Sequence, residues 1–445
     1  MSAAWRAEGT AAAVPVTAPA GLPRLLAGWE ATGRPAGLAD HDRWYGAVPP
    51  RGRSRHGAPA LVTAVERAGL TGHGGAWFPA AVKMRAVAAG RGPAVVVANG
   101  AESEPASSKD RFLLHAAPHL VLDGAVLAAE AVGSDAVIVC VQDDGYLPRR
   151  VAAAAAERRA ARLDEVKIDV APVPHRYVAS EETALVQLLS GGPALPTFTP
   201  PLPYQRGVGG RRTLVHNVET LAHLALLGRY GSAWFRSVGT PEAPGSALIT
   251  FSVPPAVEGC VYEVALGTRI GDLFALAGYP AEHVQALLTG GYGGAWLPLP
   301  AGLGVPMTPG HLRSAGGALG AGVIIGLRAG ACGIAETARV LAWLAGQSAG
   351  QCGPCMHGLP AIADDFALLA AGRAARDVLT RLHRRLGAVT GRGACHHPDG
   401  AVRLADSALS VFATDVSRHL RHGPCGGARD APLLPLPPAE SGRRR

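Results

Sequence analysis

The sequence predicts an α/β protein with a mostly parallel sheet, followed by a small α+β unit and a helical C-terminal part. Three observations carry this. Apolar runs at 94–98, 136–141 and 166–170 alternate with helix-length segments, the pattern of parallel strands joined by crossover helices. After Gly239 the runs shorten to strands 247–253, 259–266 and 285–289 around one helix, 270–277. Beyond Pro309, apolar residues recur at helical spacing over 333–345, 358–371, 374–386 and 404–422.

Taken in order, residues 1–58 are rich in Ala, Gly, Pro and Arg, with little periodicity beyond 22–29, and predict a loosely ordered extension. Order begins with a helix over 61–68, a glycine loop, the strand 94–98 and one long helix over 110–132. A strand at 136–141, an alanine-rich helix at 147–162 and a strand at 166–170 complete the layer. The texture changes divide the chain into 59–243, 244–308 and 309–425, with a disordered tail over 426–445.

Composition excludes several function classes. With 445 residues, 48% hydrophobic and 17% charged, the chain is a folded one of two to four domains. The net charge of +8 is spread along the chain, with clusters at 51–55 and 443–445. No basic stripe is interleaved with aromatics, so nucleic acid is not expected as a partner. No run approaches the roughly 20 apolar residues of a membrane span, and residues 1–23 lack a secretory pattern. A cytoplasmic location is the expectation. Of the 42 Lys+Arg residues only Lys83, Lys109 and Lys167 are lysines, so each retained lysine is informative.

Three segments carry chemistry. In Gly69–Pro79, the closely spaced Gly72, Gly74 and Gly75 let backbone N–H groups approach a phosphate, which Lys83 can pair; an ordinary tight loop is the alternative. The second segment, Asn99–Arg111, follows an apolar strand, at the end where open α/β sheets bind ligands. Asn99, Glu102 and Ser103 offer hydrogen bonds to a heterocycle or ribose, while Lys109 and Arg111 balance the acids. Alternatively Ser107 or Ser108 caps a helix with Asp110 in its first turn. Tyr177–Leu185 likewise opens a helix with two acids, Glu181 and Glu182.

The third segment holds Cys352 and Cys355, the one CxxC among seven cysteines, with Cys395 downstream. Two thiolates in a Gly/Pro turn and a distant third can grip a metal or cluster. Three are one short of the usual four, and His357, His396 or His397 can supply another ligand. A zinc site of three thiolates and one imidazole therefore stays open, as does a pair of inert core cysteines.

In this order the segments resemble the flavin-bearing NADH dehydrogenase subunit of respiratory complex I, the 51 kDa or F subunit, whose family includes diaphorase subunits of hydrogenases and formate dehydrogenases. The matching strings are Gly72–Pro79 (GxGGAxFP), Asn99–Arg111 (NxxESEPxxxKDR), Tyr177–Leu185 (YxxxEETAL), Pro200–Pro203, Asn217–Thr220 and Gly350–Cys355 (GxCxPC). The resemblance spans about 59–425. It implies a Rossmann-like FMN-binding domain, a ubiquitin-like β-grasp (SLBB) domain and a helical bundle carrying an iron-sulfur cluster. It also implies hydride transfer from NADH to FMN, with single electrons then passing to the cluster and to a thioredoxin-like [2Fe-2S] subunit or another electron carrier. By the same carry-over Gly72, Gly74, Gly75, Lys83, Asn99, Glu102, Ser103, Tyr177, Glu181, Glu182, Asn217 and Thr220 line the flavin pocket. Phe78 borders the nicotinamide, and Cys352, Cys355 and Cys395 hold the cluster.

The chain departs from that pattern at named positions. Ala349 stands where the family has its first cluster cysteine, so the resemblance implies a three-cysteine [4Fe-4S] or a [3Fe-4S] cluster. Thr199 and Leu202 replace a lysine and a phenylalanine beside the Pro-Pro pair, and Ala86 replaces a second aromatic. Each missing stacking face costs NADH about 1 kcal/mol. His73, Trp77, Ala101, Ser180 and His216 replace arginine, glycine, aspartate, glycine and asparagine around the flavin. The expectation is an NADH dehydrogenase-like flavoprotein. The alternative is a degenerate, non-catalytic paralogue acting as a binding or assembly subunit.

Overall fold

The computed structural model describes residues 21–46, 58–255 and 257–437. The first helices are α1 (Ala27–Thr32), α2 (Leu38–Tyr45), α3 (Ala58–Ala68) and α4 (Ala80–Ala88). Next come β1 (Ala94–Gly100), α5 (Lys109–Ala116), α6 (Pro118–Val132), β2 (Ser134–Gln142), α7 (Leu147–Ala160), β3 (Lys167–Val173), α8 (Glu182–Leu189), β4 (Thr213–Asn217) and α9 (Val218–Phe235). The four strands form one all-parallel sheet in the order β3-β2-β1-β4. Ala94, Val96 and Ala98 face a cluster with α6 and α9, while Val95 and Val97 face Val215, Leu185 and Ala179. This alternation is what a parallel sheet covered on both faces requires.

The expected single helix over 110–132 is two. The residue before a proline is pushed away from helical dihedrals; Ala117 adopts φ −138° and ψ 56°, and Pro118 starts α6. The two helices meet at 97°. Among the described residues no single helix is long and apolar enough to cross a membrane.

The second sheet contains β5 (Ser246–Val253), β6 (Val257–Ala265), α10 (Ile270–Ala277), β7 (Val284–Thr289), β8 (Ala295–Pro298), α11 (Pro309–Ser314) and β9 (Val323–Arg328). Its order is β6-β5-β9-β7-β8, with β5 parallel to β9 and the other pairs antiparallel. One face, with Ile249, Phe251 and Leu287, packs on α10. The opposite face, with Ala286, Leu288 and Ile325, packs on the C-terminal helices. Those are α12 (Gly333–Gly346), α13 (Leu359–Ala370), α14 (Val378–Val389), α15 (His397–Val411) and α16 (Ala413–His422). The expected helix over 404–422 is divided at Phe412 between α15 and α16.

Residues 21–46 and 430–437 are more ordered than their composition suggests. Leu25, Leu26, Trp29 and Tyr45 are buried in the core of the first sheet, and the Glu263 carboxylate accepts the N–H groups of Arg24 and Leu26 at 2.8 and 3.1 Å. These apolar residues are too sparse to show a period, yet each has a tertiary partner. At the other end Leu434 is buried, and Glu336 accepts the N–H groups of Leu433 and Leu434. The rest of the expected extension and tail, 1–20, 47–57 and 438–445, lies outside the described residues.

Helices α6 and α9 approach most closely at Gly124, where an added Cβ would meet the Leu221 carbonyl oxygen at 1.7 Å. Gly124→Ala is expected to destabilise the fold by about 3 kcal/mol in urea denaturation. Gly387→Ala on α14, where a Cβ meets nothing within 4 Å, is expected to be neutral or to stabilise by up to about 1 kcal/mol.

Candidate functional site

In the sheet order β3-β2-β1-β4 the chain moves from β1 outward to β3 on one side and returns to add β4 on the other. The crevice at the carboxyl ends of β1 and β4 is thus the topological switch point, where such sheets bind ligands. Asn99 and Asn217 are register partners at that edge. Asn99 donates from Nδ2 to the Ser180 carbonyl at 2.9 Å. Asn217 caps α9 by accepting the Glu219 N–H at 2.9 Å, and its Nδ2 donates to Asp110 at 2.7 Å.

The glycine loop closes over the start of α9. Gly72 N–H donates to the Phe78 carbonyl at 2.8 Å, and His73 N–H donates to the Thr220 hydroxyl at 2.9 Å. A Cβ on Gly74 would meet Asn217 Cβ at 3.3 Å, and Gly75 has φ +110°. Only glycine permits both the close approach and the positive φ. Phe78 projects from this loop and is 46% exposed. Trp77 also has a positive φ, +54°. Its Nε1 donates to the Gly320 carbonyl at 2.9 Å, and its ring packs against the second-sheet core and the His73 ring.

Beneath the loop lies a buried charge network. Lys109 Nζ donates to Glu219 Oε2 at 2.7 Å and to Asp110 Oδ1 at 2.8 Å. Glu219 Oε1 accepts the Leu248 N–H at 2.8 Å and lies 2.9 Å from His73 Nδ1. Burial alone would raise the Glu219 carboxyl, but the Lys109 ammonium and the His73 ring hold it well below the usual carboxylate range. Burial pushes His216 down to about 3, helped by the nearby Lys83 charge, so its ring is neutral. Its buried Nε2 has no hydrogen-bond partner among the described residues.

Other expected site residues divide between packing and the crevice. Glu102 accepts the N–H groups of Asp110 and Arg111 at 3.1 and 3.0 Å and bonds the Ser107 hydroxyl. Ser108 stands at the N-cap of α5 with Asp110 in the first turn, as the alternative expected, but its side chain makes no capping bond and Glu102 accepts the N–H groups instead. Ser103 donates to the Tyr177 carbonyl at 2.7 Å. Glu181 caps α8 through the N–H groups of Thr183 and Ala184, and burial raises its carboxyl. Glu182 pairs with Lys83 at 2.6 Å. Arg111 sits apart, 3.7 Å from Asp144 at the surface.

Segment 176–181 connects this crevice to the thiols. Arg176 donates to the Ser348 carbonyl at 2.7 Å, and Tyr177 N–H donates to the Gln347 side chain. The Tyr177 ring meets Trp343 and His397 edge-on, with centroids 5.2 and 5.4 Å apart. The Glu181 carboxylate is close enough to Cys395 to help raise its thiol, after burial.

Cys352, Cys355 and Cys395 interact with one another. Burial and the neighbouring Cys352 push Cys355 up to about 12. Burial raises the Cys352 thiol, but hydrogen bonding from the backbone at Ala394 and Cys355 outweighs this and leaves it lowered, the kind of hydrogen bonding that iron-sulfur thiolates receive. Among the described residues two triads bring every ligand atom within 4.8 Å of the others, and the Cys352, Cys355, Cys395 set is not one of them.

Comparison with known proteins agrees with this geometry. The Nuo51 FMN-binding domain model matches residues 65–226, and the NADH-ubiquinone oxidoreductase-F iron-sulfur binding region model matches 335–419. The F subunit of the NADH-quinone oxidoreductase of Streptomyces coelicolor is 30% identical over 82% of this chain and 84% of its own length. This chain belongs to the family of NADH-quinone oxidoreductase F subunits. The second F subunit of that enzyme in Rhizobium meliloti is 29% identical over 82% of this chain and 90% of its own. Among solved structures, an NAD+-reducing [NiFe]-hydrogenase in the H2-reduced state superposes with a TM-score of 0.76 at 31% identity, covering 83% of this chain and 64% of that one. As a member of the F-type family the chain is an oxidoreductase with FMN and an iron-sulfur cluster as cofactors. His216 Nε2, without a partner among the described residues, and the glycine approach at Gly74 fit the flavin, and the free thiols of Cys352, Cys355 and Cys395 are the donor type that an iron-sulfur group takes.

Sequence reasoning missed Glu104, which is buried and accepts hydrogen bonds from the Tyr177 hydroxyl at 3.2 Å and the Tyr292 N–H at 2.9 Å. Its place inside the Glu-Ser-Glu string was the available signal. Burial pushes its carboxyl up to about 7. The unfolded carboxyl ionises first, so the folded protein loses stability as pH rises from about 4.5 to about 7, and no more above that. The stability difference between Glu104→Gln and the wild type is expected to grow in favour of the variant across this interval, by about 3 kcal/mol, in unfolding curves at stepped pH.

Proposed function

We propose that the chain accepts hydride from NADH at the crevice between β1 and β4 and delivers single electrons to a cluster held by Cys352, Cys355 and Cys395. The observation that carries this reading is segment 176–181, which touches both the Asn99 edge and the α12 end beside the thiols. FMN, when bound, supplies the change from two-electron to one-electron chemistry, and the iron-sulfur group supplies the acceptor.

The chain's residues then have distinct tasks. Gly74, Gly75 and Lys83 present N–H groups and a cation to the phosphate, while Gly72 shapes the loop through its N–H bond to the Phe78 carbonyl; the pair between Lys83 and Glu182 holds that cation in place. Asn99, Ser103, Asn217, Thr220 and neutral His216 form the polar wall, and Glu181 and Tyr177 close it on the thiol side. Glu102 supports the wall by fixing α5. Phe78, exposed on the loop, is the nicotinamide border. Of three histidines considered as a further iron ligand, His357 and His396 are exposed. His397 donates from Nε2 to the Leu344 carbonyl at 2.9 Å, leaving a buried Nδ1, without a partner among the described residues, two residues beyond Cys395.

On this reading residues 59–243 are the flavin domain. The sheet of 244–308, which β9 completes, is a β-grasp (SLBB) unit, supported by its strand order and single covering helix. Residues 309–425 include the cluster-bearing helices. A thioredoxin-like [2Fe-2S] protein or similar carrier receives the electrons, in the cytoplasm.

Anaerobic reconstitution with iron, sulfide and FMN tests the reading. Bound flavin and a cluster spectrum are expected, and Ala349→Cys is expected to sharpen and stabilise the paramagnetic resonance signal. Protein that stays colourless, with neither iron nor FMN retained, overturns the reading in favour of a non-catalytic paralogue. Thr199 and Leu202 are exposed, without the stacking face and cation that the family places at these positions. Thr199→Lys combined with Leu202→Phe is expected to tighten NADH binding about tenfold, measured as the concentration giving half-maximal flavin bleaching.

A further inference from the structure

At the opposite end of α12 from the cluster thiols, three ligand-type side chains converge in the apolar core of the C-terminal helices. They are Cys332, His419 and Cys425, with 1%, 1% and 6% of their surface exposed. Their ligand atoms all lie within 4.8 Å of one another. Cys332 caps the start of α12, His419 lies on α16, and Cys425 follows α16. The fourteen residues of α12 separate this group from the Cys352 loop by about 20 Å at 1.5 Å per residue.

The hydrogen bonds fix the imidazole for coordination. His419 Nδ1 lies 3.1 Å from the Leu369 carbonyl, which can only accept, so the proton is on Nδ1. Nε2 therefore carries the lone pair and faces the Cys332 sulfur at 3.7 Å. A carbonyl behind the second ring nitrogen is the usual support for a metal-binding histidine. Without an ion, the Nε2 lone pair accepts the Cys425 N–H at 3.1 Å, a bond that a metal must displace. Cys332 also accepts the Ala335 N–H at 3.4 Å, which leaves its sulfur oriented toward the group.

We infer that Cys332, His419 and Cys425 form a second metal site, specific for a single thiophilic cation of the zinc(II) class and separate from the iron-sulfur loop. Two thiolates and one imidazole are soft donors that select zinc over oxygen-seeking cations. Both thiols give up their protons to solvent on binding, and no electrons are exchanged. Asp415, one turn before His419 on α16, is paired with Arg418 at 2.9 Å and stands outside the group, so three protein donors define the site. The ion would staple the start of α12, α16 and the 423–425 segment. The inference does not rest on flavin or cluster chemistry.

Cobalt(II) is the probe, added to the full chain under anaerobic, reducing conditions. The wild type and the Cys352→Ser, Cys355→Ser double variant are both expected to take up about one equivalent at this site. Uptake gives a thiolate-to-cobalt charge-transfer band that equimolar zinc abolishes. The band should vanish in Cys425→Ser and shift in Cys425→His, which keeps a donor if the serine variant fails to fold. Absence of the band in the double variant, persistence of an unchanged band in folded Cys425→Ser, or a Cys332–Cys425 disulfide in the anaerobic protein would each overturn the inference. None of these results depends on whether FMN or iron is bound.

Discussion

The buried pair between Lys109 and Glu219 holds the architecture around the crevice together. One carboxylate oxygen meets the Lys109 ammonium, while the other accepts the Leu248 N–H from β5 and lies beside His73 of the glycine loop. Three parts of the chain that need to be in register for a ligand to fit therefore meet on a single side chain. Breaking a pair of this kind by removing one partner typically costs about 3–5 kcal/mol, because a charge is left buried alone. Lys109 resisted replacement by arginine in a chain where arginine is otherwise the rule. A compact ammonium on a thin stem fits between Glu219 and Asp110, and its methylenes occupy the space that a side chain at Gly322 would need, 3.3 Å from an added Cβ.

Much of this site was legible in the sequence, but unevenly. Retained lysines, the glycine loop and the CxxC turn point to the right segments, because each needs an unusual residue at a fixed place. Strand β4 gives little signal: it is five residues long, follows a run of glycines and arginines, and ends in the polar His216 and Asn217 that serve the crevice. The break at Pro118 is readable from the rule for residues before proline, yet the strong apolar run around it suggests one helix. Glu102, expected as a ligand contact, spends its carboxylate on capping α5. Residues 21–46 look loose because their partners, such as Glu263, lie more than two hundred positions away.

Segment 176–181 shows how a parallel-sheet domain can communicate with a separate set of helices. It is held to Asn99 and Ser103 on one side and to Gln347 and Ser348 on the other. The Tyr177 ring fills the space between Trp343 and His397. Because its hydroxyl bonds Glu104, which also accepts the Tyr292 N–H, the junction includes the second sheet as well. Contacts of this density argue for one fixed spacing between crevice and thiols, as tunnelling electrons require.

Trp77 has a longer reach in time than in space. A bulky residue with φ +54° carries a backbone cost of about 1–2 kcal/mol, which the indole's bond to the Gly320 carbonyl offsets. The amino acid tolerated at one loop position has thereby become contingent on a turn 243 residues further on. Lineages that reshape that turn would have to revise position 77 at the same time, so the two are bound to drift as a pair.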